Sequence, residues 1–427
     1  MTDARERFNV SDADRRHVWH PYTQHGAIAD PIVISRASGA YLYDESGRAI
    51  FDAISSWWVT LHGHAEPTIA AAIAVQAAKL EQVIFAGFTH EPGAKLAAEL
   101  VKRAPAGLER VFYSDDGSTA VEVAVKIALQ YWRNRGEPRR LVVALENAYH
   151  GDTFGAMSVS GRSLFTDPFG DLLFEVARLP DPVDGDVVQA FETLVAARGS
   201  EIAGVIVEPM VQGAGGMRFW SARALRDLRE ITARHGIPLI ADEVLTGFGR
   251  TGPLFACEHA GITPDLMCLS KGLSGGFMAF AATLATSAMF DAFRSSDRKK
   301  TLFHGHSFTA NPIACAASLA SLELLDETSA DRRRAIEDSH RLAAAGFAGI
   351  PHVKNVRVLG TIIAMDLVAP DSGYLSPIGP ALQKHALARG VLLRPLGDTV
   401  YLLPPYCATD EDLSRAYDVI ADFAEEQ

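Results

Sequence analysis

Cysteine is scarce and scattered. The 427-residue chain carries four, Cys257, Cys268, Cys315 and Cys407. They form no C-x-x-C pair and no cluster with histidine at metal-ligand spacing, which argues against a disulfide framework and a bound metal. Cys268 and Cys315 lie in apolar stretches and read as buried thiols. No apolar run approaches the ~18 residues needed to span a bilayer. The charged opening Met-Thr-Asp-Ala-Arg-Glu-Arg has no apolar core behind it, so no signal peptide is expected. Excess positive charge is lacking too: the net charge is −12, which speaks against nucleic acid or an anionic membrane as partner. Internal repeats and low-complexity stretches are absent. The expectation is a cytoplasmic, reduced, soluble protein.

The hydrophobic fraction of 48% and charged fraction of 22% are those of an ordinary globular chain. Its length suits one large domain plus a smaller one. Residues 40–52 read as a hairpin turning at Gly47, and helical periodicity follows over 68–80 and 92–102. From about residue 110 strands and helices alternate: strands at 110–114, 141–145, 202–208, 238–242 and 266–270, with helices over 119–132 and 222–235. These strands are continuous apolar runs, which predicts a largely parallel sheet covered by helices on both faces, an α/β fold. After about 312 the pattern becomes α+β, with helices over 312–325, 331–345 and 410–425 and short strands at 353–359, 362–367, 391–394 and 399–403. The boundaries expected are 1–65 and 312–427 for the two parts of the small domain and 66–311 for the large one.

Lys271 ends the run Asp265-Leu-Met-Cys-Leu-Ser-Lys271 and enters a turn rich in glycine (Gly272, Gly275, Gly276). Asp242 ends a second apolar run 29 residues earlier. Ligands of such sheets bind beyond the carboxyl ends of the strands. An amine and a carboxylate delivered there are what pyridoxal phosphate needs, one to attach it and one to hold its ring nitrogen protonated. The same pair would also serve as a structural ion pair, and position alone does not separate the two. Asp116-Gly117-Ser118-Thr119 follows a strand and opens a helix, where free N–H groups and the helix dipole favour phosphate. Thr119-x-x-Glu122 also reads as a capping box, and both readings can hold together. Gly247-Phe-Gly249-Arg-Thr-Gly252 matches the dinucleotide fingerprint in letters only, because Pro253 follows and no helix begins. Tyr149-His150-Gly151-Asp152 falls on the ligand edge, where a tyrosine can stack on an aromatic cofactor or merely form a turn. Tyr22 and Trp57-Trp58 are core or substrate wall. Arg394 is a surface charge or, if it faces the cleft, a carboxylate binder.

Taken in order, Asp-Gly-Ser-x-Ala-x-Glu at 116–122, Tyr-His-Gly at 149–151, Ala-Asp-Glu-Val at 241–244, Gly-Phe-Gly-Arg-Thr-Gly at 247–252 and Ser-Lys-Gly at 270–272 resemble the class III aminotransferases of pyridoxal-phosphate fold type I. The resemblance spans essentially the whole chain. Trp-His-Pro-Tyr-Thr at 19–23, Ser-Ser-Trp-Trp at 55–58, His-Gly-Asp-Thr-Phe-Gly-Ala-Met-Ser at 150–158 and the stretch from Arg394 to Tyr406 are similar to the members of that family that act in biotin synthesis. The resemblance implies that Lys271 carries the cofactor and shuttles protons, that Asp242 pairs with the ring nitrogen, and that Val244 and Tyr149 sandwich the ring. Gly117 and Ser118 would bind the phosphate. Ser307, where the family more often has threonine, would reach the phosphate of a neighbouring subunit, which implies a homodimer. Tyr22, Trp57, Trp58, Tyr149, Asp152 and Lys271 would line the substrate pocket, with Arg394 on the carboxylate. The implied reaction is a ping-pong transfer of the amino group of S-adenosylmethionine to 8-amino-7-oxononanoate, with lysine as a donor used by some relatives. Another class III enzyme, acting on an ω-amino acid or diamine with a keto-acid acceptor, would keep the same lysine and aspartate. A catalytically inert binding module on this fold would not need Lys271, Asp242 and the phosphate turn together.

Overall fold

The computed structural model describes residues 8–27, 30–183 and 185–426. Within them a seven-stranded sheet is built from β1 (Leu108–Ser114), β2 (Leu141–Leu145), β3 (Val176–Leu179), β4 (Ile202–Val207), β5 (Leu239–Asp242), β6 (Leu266–Leu269) and β7 (Ala281–Thr286). Its order is β1-β7-β6-β5-β4-β2-β3. The pairs among β2 to β6 are parallel, while β7 runs antiparallel to both β6 and β1.

The alternation of side chains across the sheet explains the apolar runs. Val142, Ile206, Ile240 and Leu266 point to one face and pack on Val121 and Val125 of helix α1 (Gly117–Asn134). Val143, Val205, Ala241 and Met267 point to the other face, where Leu225 and Leu228 of helix α2 (Ala222–Arg234) meet them. Both faces are covered, so no polar alternation survives in the sequence. Two strands escaped the sequence pattern. β3 sits at the sheet edge and is only partly buried. β7 is made of alanine, threonine and one leucine; small residues are needed there because α1 lies close, with Thr283 Oγ1 donating to Ala120 O at 2.9 Å.

The expected hairpin forms between strands 41–44 and 49–52, and a preceding strand at 34–38 extends it. Strand 391–392 adds in parallel to 49–52, so this four-stranded sheet draws on both ends of the chain. The strand expected over 391–394 stops at Leu392, and Arg394 therefore leaves the ladder. Strands 353–359, 362–367 and 399–402 make a separate three-stranded sheet. Backbone bonds from Leu403 N to Ala53 O and from Tyr406 N to Leu61 O tie the C-terminal segment to the N-terminal one, and Thr361 N to Arg250 O joins the three-stranded sheet to a loop of the large one.

That last joint leaves no room for a side chain at Gly360. Its φ is +56°, and a Cβ there would lie 2.4–2.6 Å from backbone atoms of Arg250, Thr251 and Gly252. Gly360→Ala should lower stability by about 2–3 kcal/mol, read as a fall in the denaturation midpoint; an unchanged midpoint would mean that the joint yields freely.

Candidate active site

The carboxyl ends of β5 and β6 open into a cavity of 410 Å³ whose lining includes Asp242, Lys271, Trp58, Ser118, Tyr149 and Val244. Lys271 follows β6 with φ +43°, a left-handed conformation uncommon outside glycine. The turn beyond it is pressed by the N-terminal segment. A Cβ at Gly272 would lie 2.9 Å from Leu61, and one at Gly276 3.0 Å from the backbone of Thr60. Only glycine permits that approach. The amine sits 4.8 Å from the centre of the Trp58 ring. Burial lowers its pKa from the usual lysine value, opposed by the negative charges of Asp242 and Glu208. A lysine held this way is a nucleophile in waiting.

Asp242 is nearly buried and held from two sides: His150 Nδ1 lies 2.7 Å from its Oδ2, and Val244 N donates to its Oδ1. Its carboxylate is thereby aimed rather than free to rotate. Glu208, also buried, accepts N–H bonds from Tyr149 at 2.9 Å and Gly213 at 3.0 Å. It thus ties the Tyr149 loop to the loop after β4. Burial pushes its pKa up to about 7.

The start of α1 is both cap and cradle. Asp116 and Thr119 exchange bonds as the capping box, in place of the Thr119–Glu122 pair expected. Glu122 instead accepts from Thr153 Oγ1 at 2.6 Å and Gly155 N at 2.7 Å, and the Gly117 and Ser118 positions remain on the cavity wall. A Cβ at Gly117 would collide with Val244 at 2.7 Å, and one at Gly151 with Ser118 Oγ at 1.9 Å. The helix N-terminus is therefore kept bare of side chains where an anion would dock. Pyridoxal phosphate fits this set: an anion cradle at one end, a carboxylate for a ring nitrogen, Val244 and Tyr149 for the ring, and one enclosed lysine.

At the mouth, Tyr22 OH hydrogen-bonds to Asp152 and lies 3.2 Å from Tyr149 OH. Its pKa is pushed up to about 12 by burial and by the Asp152 bond, and burial raises that of Tyr149 further. Tyr22 packs edge-on against Trp57 at 5.5 Å and Phe165 at 5.7 Å. The Arg394 guanidinium lies 4.3 Å over the Trp57 ring. The irregular backbone at 55–58 that presents both tryptophans, with positive φ at Ser55, Ser56 and Trp58, is gripped by the buried Asp52 carboxylate. It accepts from Ser56 N at 2.6 Å and lies 2.8 Å from His64 Nε2. Trp58 Nε1 donates to Tyr401 OH at 2.9 Å.

Tyr22, Trp57, Trp58, Tyr149, Asp152, Asp242, Val244 and Lys271, spread through the sequence, thus meet around one cavity and its mouth, with Gly117 and Ser118 at its end. Ser307 does not: it is exposed, away from this chain's cavity, its carbonyl accepting from Gln82 Nε2 at 2.6 Å. Arg250 is buried under the Tyr406 ring and donates to Pro404 O at 2.8 Å and Thr60 O at 3.2 Å. His150, Glu208, Phe165 and Tyr374 belong to the site's surroundings without having stood out in the sequence. His150 sits inside a motif noted for its tyrosine, and Glu208 closes an apolar run as Asp242 does, a signal that could have found it.

The chain is similar over its length to known proteins. A sequence model for the aminotransferase class-III family matches residues 22–423. The adenosylmethionine-8-amino-7-oxononanoate aminotransferase of Synechococcus elongatus is 52% identical over 421 residues, covering 96% of this chain and 99% of that protein. The protein of the same name from Mycobacterium leprae is 44% identical over 430 residues, covering 97% and 96%. Among solved structures, that of adenosylmethionine-8-amino-7-oxononanoate aminotransferase from Methanocaldococcus jannaschii matches with a TM-score of 0.94 at 33% identity, over 97% of this chain and 98% of that one. The ω-transaminase from Pseudomonas jessenii in complex with PMP matches at 0.92 and 27% identity, over 98% of both chains.

The position of Glu208 sets a pH dependence of stability. A carboxyl whose folded pKa exceeds its unfolded value contributes most below the unfolded value, and that contribution is lost as pH rises through the folded one. The window runs from 4.5 to about 7. Glu208→Gln removes this titration. In the cofactor-free protein the wild-type urea midpoint should therefore fall relative to the variant's between pH 5 and pH 7.5, and parallel profiles would show that the carboxyl is not buried as described.

Proposed function

This chain belongs to the class-III aminotransferases, and on that footing we propose that it transfers the amino group of S-adenosylmethionine to 8-amino-7-oxononanoate in biotin biosynthesis, giving 7,8-diaminononanoate. Pyridoxal phosphate is the cofactor; when bound it supplies the carbonyl that takes up the amine and the ring that stabilises charge on the reacting carbon. The observation that carries the reading is the arrangement at the cavity mouth: Arg394 over Trp57, beside the Tyr22–Asp152 pair. A nonanoate chain is apolar with a terminal carboxylate and, in this substrate, an amine near the ketone. Aromatic faces suit the chain, Arg394 the carboxylate, and Asp152 the amine.

The chain's own groups then divide the work. Lys271 holds the cofactor between turnovers and moves the proton at the reacting carbon, its pKa lowered by burial. Asp242, oriented by His150, faces the ring nitrogen as a fixed negative charge. Tyr149 and Val244 hold the ring between them, and Glu208 keeps Tyr149 in place through its backbone N–H. Gly117 and Ser118 take the phosphate at the α1 N-terminus. Trp58 roofs the amine.

The protein acts as a homodimer in this reading, with Ser307 reaching the phosphate of the second subunit. Ser307 is exposed and flanked by Phe303 and Phe308, exposed by 78% and 63%. Gln82 and Asn311 tie this segment to residues 81–82, after which Ile84 and Phe88 are exposed by 62% and 63%. Apolar exposure on that scale marks a contact surface.

The purified enzyme should be yellow, and borohydride should fix the cofactor to Lys271. Lys271→Ala should lose both the covalent link and turnover, and a wild-type protein that stays colourless with added cofactor would refute the scheme. In single-donor half-reactions S-adenosylmethionine should discharge the colour and lysine should not; the reverse outcome would reassign the donor. Arg394→Met should raise KM for 8-amino-7-oxononanoate by on the order of 10–100-fold, the worth of a charged hydrogen-bonding pair, and an unchanged KM would move the carboxylate site elsewhere.

A further inference from the structure

A second cavity, of 790 Å³, lies between the loop at 214–219 and residues 354–399, lined among others by Phe219, Tyr374, Asp366 and Asp398. It shares Ala214 with the Lys271 cavity. A smaller void of 80 Å³ lined by Tyr149, Asp152, Phe165 and Ala214 touches both. The three form one trough running outward from the lysine past the Tyr22–Phe165 ring pair. Nothing in the roles assigned so far fills its outer part.

The two substrates of the proposed reaction differ in bulk more than in reacting chemistry. The inner 410 Å³ must take the cofactor together with the reacting end of either substrate, and a drug-sized ligand alone occupies a pocket of ~300–1,000 Å³. A linear nonanoate runs along the aromatic wall to Arg394. A nucleoside carried on a sulfonium adds bulk beyond that reacting end. We propose that the outer cavity seats the adenosine half of the amino donor, with the Asp398 carboxylate accepting the hydrogen bonds of the ribose diol; this rests on the donor reading given above.

The walls are suited to that ligand in three respects. Phe165 and Tyr374 meet edge to face at 4.8 Å on the wall of the outer cavity, and such rings attract a cation passing their faces, as the sulfonium would. Tyr374 and Phe219 offer flat apolar surface beyond for a purine. Three charged residues of the frame are committed: Arg218 pairs with Asp181 at 2.6 Å, Arg357 pairs with Asp366 at 3.1 Å and donates to Gly216 O and Met217 O at 2.7 Å each, and Asp366 also accepts from Asn355 and Thr399. Asp398 and Lys354 are not: both line the cavity without a side-chain hydrogen bond or ion pair among the described residues, which leaves Asp398 as the carboxylate of the lining free to accept from a ligand. A carboxylate facing a vicinal diol is the common means of holding a ribose. The turn that carries Asp398 is also sterically committed. A Cβ at Gly397 would lie 2.0 Å from Gly373 O, so the loop bearing Tyr374 rests directly on it.

Half-reactions of the holoenzyme separate this from the donor reading. Asp398→Asn should raise KM for S-adenosylmethionine by about 10–100-fold with kcat little changed. The reverse half-reaction from 7,8-diaminononanoate, which leaves the outer cavity unfilled, should be unaffected. The wild type should discriminate against the 2′-deoxyadenosyl analogue by a similar factor, and the variant should not. A variant that keeps the wild-type KM for S-adenosylmethionine overturns the proposal, as does one that loses activity equally with both donors. A wild-type enzyme that fails to take its amine from S-adenosylmethionine overturns the donor reading itself, and that result appears before any variant is made.

Discussion

Burying the amine of Lys271 is the constraint around which the rest of the site is arranged. An ammonium taken out of water is costly unless opposite charge is close, and here the opposing charges are carboxylates that are themselves buried, Asp242 and Glu208. The backbone is committed as well. Lys271 adopts φ +43°, and the next turn can follow only because glycines let the 60–61 segment press against it. Strain of this kind persists where the surroundings over-determine it. In this molecule those surroundings are the small sheet and the C-terminal segment, through Arg250 on Thr60 O and Tyr406 N on Leu61 O.

The same coupling explains why residues from both chain ends face one cavity. Strand 391–392 pairs with 49–52, which puts the turn carrying Arg394 beside the turn carrying Trp57. Asp52, the last residue of strand 49–52, spends its charge on Ser56 N and His64 and so holds the tryptophans at an angle no regular element would provide. The parallel sheet brings Asp242 and Lys271 to one edge, and the small sheet brings Arg394 and Trp57 together. Catalysis needs both held to within a fraction of an ångström. The hydrogen bonds that cross between the two layers, rather than either layer alone, provide that hold.

Much of this was legible in the chain. Lys271 and Asp242 announced themselves because each ends a continuous apolar run, and a buried parallel strand can end only at a ligand edge or a turn. The helix start after 116 was readable, but its capping box was placed three residues late: Asp116 and Thr119 form it, not Thr119 and Glu122, because Glu122 is drawn off to Thr153 and Gly155. β7 and β3 were not, since their small or half-exposed residues carry no periodic signal. Glu208 and His150 were missed for a different reason: their importance lies in what they touch, Tyr149 N and Gly213 N for one and Asp242 for the other, and those partners are far away along the chain.

Local rules act through neighbours in sequence, so the chain alone was enough to indicate the sheet's character and the anion-ready helix start, and the order of its motifs carried the resemblance to the family and singled out Lys271. It left Lys271 and Asp242 open as a structural ion pair, Arg394 as a surface charge and Arg250 without a role. Folding decided their surroundings, because only packing brings residues hundreds of positions apart into contact. It placed Arg394 over Trp57, closed Arg250 on two carbonyls, and left Asp398 facing a cavity with its charge unspent.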